Sequence, residues 1–327
     1  MKLGMMGSGM IVTMALNVLK RIDGITCAAL WHRQTEGEAA AKLQEDFGVP
    51  RLYTDMEAFL ADPSFDTVYV GVINSLHYAY TKQALLAGKN VICEKPFMSD
   101  GSQAKELIGL AKEKGLFLFE AILSRYDPNH QAIRENLSQL GAVKLIQCNY
   151  SQYSSRYDRY RQGIVLPAFD PHFCGGCLYD INVYCVHFVI GLFGRPQSVH
   201  YFANKGPNGI DTSGVLILTY ENFQAVCCGA KDSNSPAVYM VQGEEGYIRL
   251  DNRPGVREQV TLVKNKQEPV RINVDEGNDL MGTEFRAIAA IMAAKDYDLA
   301  HRYLQTTLEV MDVMEEARLQ VGIHFDR

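Results

Sequence analysis

The chain has a single tryptophan among its 327 residues and no biased or repeated tract. It also lacks an excess of positive charge, since 32 Lys and Arg against 38 Asp and Glu give a net charge of -6. That balance offers no general attraction for nucleic acid or an anionic membrane surface, so neither partner is expected. No apolar run approaches the roughly 18 residues of a transmembrane candidate. The opening residues, Met1 to Gly7, lack the long apolar stretch and cleavage site of a signal peptide, and a cytoplasmic setting is expected. A disulfide or zinc framework is missing too. Of the eight cysteines, Cys27, Cys93 and Cys148 fall in strand-like runs, where a free thiol acts as a small hydrophobe. Cys174-Gly175-Gly176-Cys177 has the C-x-x-C spacing, but no second such pair exists to complete a metal site. Structural thiols and no metal are expected, with a redox role for Cys174 and Cys177 as the alternative.

What is present is an ordinary globular composition, 47% hydrophobic and 21% charged, in a chain long enough for two domains. The first 120 or so residues alternate short apolar strands with helical patterns, which argues for a parallel sheet wrapped on both faces. After about residue 122 the texture changes. A helix over 128–140 leads into a long strand over 143–153, then a Tyr-, Arg- and Pro-rich loop over 155–176 and a helix over 178–193. Strand-like runs over 198–274, separated by turn signals such as Gly206-Pro207-Asn208-Gly209, read as an antiparallel meander. Two helices, over 280–294 and 302–320, close the chain. The interleaved Tyr and Arg of 150–163 occur once, on an acidic protein, and read as a substrate-entrance loop or subunit contact.

Gly7 and Gly9 supply the first two glycines of a G-x-G-x-x-G turn between the first strand and first helix. The first permits the tight turn, and the second lets backbone approach a pyrophosphate at the positive helix end. Val12 stands where a third glycine or alanine is usual. The second strand ends Trp31-His32-Arg33. It offers no carboxylate for a ribose 2′-hydroxyl but does offer a guanidinium for a 2′-phosphate, so NADP(H) is favoured over NAD(H). The run Asn90 to Cys93 reads as a buried strand cut short by Glu94, Lys95 and Pro96. Proline cannot continue a central strand and restricts the residue before it, so Lys95 is held at the strand's carboxyl end, where ligands of such sheets bind. Asp180 and Tyr184 are spaced to share a helix face, with His187 on that face too. A buried aspartate among Leu178, Tyr179, Ile181 and Val183 must find a partner, and Lys95 is the natural candidate.

Several separated segments then agree. Asn74, His77, Ala87-Gly88-Lys89 and Glu94-Lys95-Pro96 resemble the T-P-N-x-x-H and A-G-K-x-V-x-x-E-K-P patterns of the Gfo/Idh/MocA oxidoreductases, with Ile73 replacing the proline. Glu120, Ala121, Arg125 and Pro128 resemble that family's E-A-x-x-x-R-x-x-P segment. Phe169-Asp170-Pro171 through Tyr184 resembles its F-D-P…G-G-x-L-x-D-x-G-x-[HY] motif, with Asn182 replacing a glycine. The details are most similar to the NADP-using branch containing glucose-fructose oxidoreductase and dimeric dihydrodiol dehydrogenase.

The resemblance implies an α/β fold: an N-terminal Rossmann doubly wound parallel sheet and a C-terminal α+β domain with a large open, mostly antiparallel sheet. NADP binding is expected in 1–122, and substrate binding and oligomerisation in 123–327, with a homodimer or homotetramer formed through the open sheet face. The implied activity is hydride transfer between nicotinamide and a secondary alcohol or carbonyl of a sugar, cyclitol, polyol or trans-dihydrodiol. Alternatives are a cofactor-dependent glycosidase using transient oxidation, or a non-catalytic NADP(H)-sensing protein. The expected catalytic residues are Lys95, Asp180 and Tyr184, with either Lys95 or Tyr184 as proton donor. Gly7, Ser8, Gly9, Met10, Ile11, His32, Arg33, Ile73, Asn74, His77, Glu94 and Lys95 are expected at the cofactor, and Arg125, Tyr157, Phe169 and His187 at the substrate.

Overall fold

A computed structural model of the chain describes residues 1–251, 259–274 and 279–325. The part of the expected meander at 252–258 lies outside the described residues. Two compact units emerge, one of Met1–Ile122 with Met281–Leu308, the other of Leu123–Leu280 with Glu309–Arg327.

In the first unit, strands β1 (Lys2–Met6), β2 (Thr26–Trp31), β3 (Leu52–Tyr53), β4 (Thr67–Val70), β5 (Asn90–Glu94) and β6 (Leu118–Ala121) form one sheet ordered β3-β2-β1-β4-β5-β6. Its pairings are all parallel. The order reverses between β1 and β4, and such a switch point opens a crevice at the carboxyl ends of the strands. Helices α1 (Met10–Leu19), α2 (Gly37–Phe47), α3 (Met56–Ala61), α4 (His77–Leu86) and α5 (Gly101–Lys114) connect the strands. Strand β4 is buried throughout and β5 after Asn90, as expected of strands covered on both faces.

The second unit begins with α6 (Leu123–Tyr126), α7 (Pro128–Asn136), β7 (Val143–Ser151), α8 (Tyr157–Arg161) and α9 (Val183–Phe193). Strands β8 (Ser198–Lys205), β9 (Asp211–Thr219), β10 (Gln224–Ala230), β11 (Val238–Gly243), β12 (Gly246–Asp251), β13 (Gln259–Lys264) and β14 (Val270–Arg271) follow. With β7 they form an eight-stranded sheet ordered β14-β13-β12-β11-β7-β10-β9-β8. This is not a simple meander, because β7 inserts between β10 and β11 and pairs with β10 in parallel. Burial alternates along β8, β9 and β12, as it does when one sheet face is covered and the other open.

Helices α10 (Leu280–Ala294) and α11 (Tyr297–Gln320) end the described chain. Two helix boundaries differ from the sequence reading. α11 starts at Tyr297, and the expected 178–193 helix opens with a π-helical turn over Leu178–Asn182. The stretch Pro171–Phe193 is longer and more apolar than the sequence reading allowed, with mean hydropathy 1.5 over a membrane-length window. Seventy-two per cent of that window is buried in the fold, so its apolarity is that of a core element.

Candidate active site

The first part of the site is built at the β1–α1 turn. Gly7 has φ +107°, which side chains rarely adopt, and a Cβ there would sit 2.5 Å from the Gly71 carbonyl oxygen. Gly9 stands at the N-cap of α1 with open space beside it. No side chain caps the helix and its first turn carries no acidic residue, so its positive end is available to an anion. Ser8, Met10 and Ile11 lie on this turn and at the helix start, with Met10 exposed. Val12, the departure from the glycine pattern, is buried, and the compensation comes from the residue directly after β4. A Cβ on Gly71 would approach Val12 Cγ2 to 2.8 Å, so the small residue has moved to the loop that leaves β4.

At the end of β2, His32 is buried and its Nδ1 lies 2.9 Å from the Arg33 carbonyl oxygen. Arg33 is half-exposed, and its Nε donates to Glu36 Oε1 at 2.9 Å. Burial opposes ionisation of Glu36, but the Arg33 bonds outweigh it and hold the carboxyl below its usual range. The sequence reading did not include Glu36, although the Arg-x-x-Glu spacing at a helix start was visible.

Ile73 precedes a short 3₁₀ turn over Asn74–Leu76. His77 is fully buried, with Nδ1 2.9 Å from the Pro96 carbonyl oxygen and Nε2 3.2 Å from that of Val72. Burial lowers its pKa, so it braces the loop after β4 against the Lys95-Pro96 turn as a neutral ring. The Lys95–Pro96 peptide is cis. Glu94 is buried, accepts from Tyr69 OH at 2.5 Å and from the Lys95 amide at 3.2 Å. Burial raises its pKa, partly offset by the Tyr69 bond and the Lys95 charge. Two further acids surround it electrostatically: Glu120, which accepts from Thr307 Oγ1 at 2.7 Å, and Glu284 on α10.

In the second unit, Asp180 lies in the π-helical turn with Tyr184 just beyond it, on α9. A π turn in a helix is a recurrent device at functional sites. Within this unit Asp180 pairs with Lys231, whose Nζ lies 2.9 Å from Oδ2, a partner the sequence did not point to. Tyr184 is half-buried, its ring 5.8 Å from that of Tyr150. His187 is buried, with Nδ1 3.3 Å from Arg125 Nη2. A guanidinium only donates, so Nδ1 is the acceptor in this contact. Tyr157 packs at 5.7 Å from Phe169, which is fully buried and stacks on Tyr160 at 4.8 Å. Phe169 is thus held in the aromatic packing of this unit.

Cys174 and Cys177 are buried and in no disulfide, and burial pushes the Cys177 thiol well up, away from the reactive thiolate. Gly176 between them has φ +103°, and a Cβ there would collide with Asp211 Oδ1. The spacing thus serves a tight approach to Asp211, whose Oδ2 accepts from the Leu178 amide at 2.6 Å.

A glycine turn at the switch point of a 3-2-1-4-5-6 sheet, followed by a unit presenting an ion-paired aspartate and a tyrosine, defines a dinucleotide-dependent oxidoreductase. Residues 1–122 match the family described as oxidoreductase family, NAD-binding Rossmann fold, and residues 130–249 match the GFO/IDH/MocA C-terminal domain. Over 326 residues the chain is 32% identical to scyllo-inositol 2-dehydrogenase (NADP(+)) IolU of Bacillus subtilis, covering 98% of this chain and 97% of that protein. It therefore belongs to the Gfo/Idh/MocA oxidoreductase family. The trans-1,2-dihydrobenzene-1,2-diol dehydrogenase of Xenopus tropicalis is 34% identical over 218 residues, 65% of this chain and 64% of that one. The fold is shared with KijD10, a 3-ketoreductase from Actinomadura kijaniata solved with NADP and TDP-benzene, at a TM-score of 0.85 and 20% identity over 99% and 98% of the two chains.

Proposed function

We propose that the chain is an NADP(H)-dependent dehydrogenase acting on a ring secondary alcohol, with cyclitols and trans-dihydrodiols first and sugars and other polyols next. The observation that carries this reading is Lys95, set by the end of β5 at the carboxyl edge of the parallel sheet beside the buried Glu94. The names of the relatives, an NADP-dependent inositol dehydrogenase and dihydrodiol dehydrogenases, supply the substrate class.

The residues present fit the cofactor. The uncapped N-terminus of α1 and the open space at Gly9 suit a pyrophosphate, and Arg33 suits a 2′-phosphate once it is released from Glu36. When bound, NADP⁺ supplies the acceptor for the hydride leaving the alcohol carbon. The chain's residues handle the proton on oxygen. Tyr184 accepts it, and the charges of Lys95 and Asp180 set the phenol's proton affinity; a phenol with pKa near 10 needs such a cation to act at neutral pH. Lys95 as the acid is the alternative assignment. A homodimer through the open sheet face, where Phe202 and Val215 stand exposed, completes the proposal; a monomer in sedimentation velocity would remove it.

The test is a panel of scyllo-inositol, other inositols, sugars and trans-diols with NADP⁺ and NAD⁺, followed at the reduced-nicotinamide absorbance. Turnover with NADP⁺ on a ring alcohol is expected. Tight NADPH binding with no turnover on any member would move the reading to a sensing protein. For the 2′-phosphate, Arg33→Ala is expected to raise the NADPH dissociation constant by about tenfold or more, one charge-assisted contact being worth roughly 1.5–3 kcal/mol. NADH binding should change little, and an unchanged NADPH constant by titration calorimetry removes Arg33 from the site.

A further inference from the structure

Lys231, directly after β10, is fully buried, its side chain 1% exposed, yet nothing in the local sequence marks it as more than a strand-end lysine. Its ammonium reaches Asp180 Oδ2 at 2.9 Å, donates to the Ala168 carbonyl and sits 4.3 Å from the centre of the Phe169 ring. The lysine's backbone is fixed as well, its amide donating to Thr212 O at 2.8 Å and its carbonyl accepting from Ser154 N at 2.9 Å.

The pair is asymmetric, which gives it direction. Asp180 keeps a side chain 33% exposed, so the cation is the inner partner and the carboxylate the outer one. A buried ammonium without a counter-charge is costly, and its carboxylate must stay ionised to meet that demand. The neighbouring acids have other partners. Asp211 accepts from Tyr201 OH at 2.7 Å and from the Leu178 amide, and Asp232 accepts from the Thr212 and Ser213 hydroxyls at 2.7 and 2.9 Å. Three directions around the Lys231 ammonium are therefore filled by a carboxylate, a carbonyl and a ring face, and this set fixes where the Asp180 carboxylate lies.

The geometry points to Lys231 as a positioning residue for the reaction: it holds Asp180 ionised and aimed through one ion pair, without touching substrate or cofactor. It also explains why Phe169 is buried. Its ring is the wall that keeps water from the ammonium and leaves Asp180 as the strong partner.

This role rests on the dehydrogenase reading above. Four proteins separate the two: wild type, Asp180→Asn, Lys231→Met and the double variant, assayed with NADP⁺ on the ring alcohol of highest turnover in the panel. Lys231→Met is expected to lower kcat about 10²-fold, the scale of a misplaced catalytic group, with the NADPH dissociation constant unchanged. In the Asp180→Asn background the same substitution should cost less than about twofold more, because a residue acting only through Asp180 has nothing left to act on. The double variant lacks both charges of the pair, so this comparison holds even if Lys231→Met alone fails to fold. Losses that multiply in the double variant, or a folded Lys231→Met with wild-type kcat, overturn the role of Lys231 alone. A wild-type protein that turns over nothing overturns both readings.

Discussion

Lys95→Met lowers kcat by on the order of 10³-fold, within the range of a lost general acid–base group, while the NADPH dissociation constant stays within about threefold of wild type. The asymmetry follows from position. Lys95 directly follows β5, and the fold around it is carried by Glu94, Tyr69 and His77, whose hydrogen bonds do not need the Lys95 side chain. The loss should fall on the chemical step and not on cofactor capture. Single-turnover absorbance with pre-bound NADP⁺ measures the step directly. Wild-type turnover in this variant would sink the catalytic assignment of Lys95. If Lys95→Met keeps a tenth of its activity while Tyr184→Phe loses about 10³-fold, the proton belongs to Tyr184 and Lys95 only tunes it.

The second large effect is on stability. Glu284 on α10 is fully buried, and its Oε2 has no hydrogen-bond partner among the described residues. Burial first, then the charges of Glu94 and Glu120, raise its pKa well above 4.5. An acid with a raised folded-state pKa binds its proton more tightly when folded. Its contribution is full below the unfolded value and is lost as pH rises toward the folded one. Stability should therefore fall from about pH 5 to pH 8, steepened by Glu94, whose pKa is also raised. Glu284→Gln keeps the volume, removes the ionisation and offers an N–H₂ to its acidic neighbours. The melting temperature should rise by several degrees at pH 8, a gain of about 2 kcal/mol, and change little at pH 5. Equal effects at both pH values, by calorimetry on the protein without nucleotide, would show that Glu284 is not the source of the slope.

Much of the parallel sheet was legible because its signals are local. Apolar strands, intervening helical patterns and the Gly7–Gly9 turn occur in chain order, and the sheet order follows from such units. The parallel pairing of β7 with β10 was not legible. It joins segments separated by two other strands, and alternating burial reads the same whether a neighbour runs parallel or antiparallel. The π turn at Leu178–Asn182 escaped because apolar residues there satisfy either helix type. At the site, the E-K-P segment and the Asp180–Tyr184 spacing stood out as residue types in an unusual place. The pairing of Lys231 with Asp180 did not, since a strand-end lysine looks the same in sequence whether its ammonium points to water or into the core. Glu36 is legible as the acid of an Arg-x-x-Glu spacing at the helix start, three residues beyond the strand-end arginine.

The approach of α1 to the loop after β4 shows what the third glycine of a dinucleotide fingerprint is for. The requirement is one missing side chain per helix–strand contact, and either surface can provide the gap. Here the vacancy and the filler have traded places, Val12 on the helix fitting over Gly71 at the strand's exit. A substitution at one of these positions should therefore be tolerated or rejected according to what occupies the other. A pattern that inspects only the loop sees half of the lock.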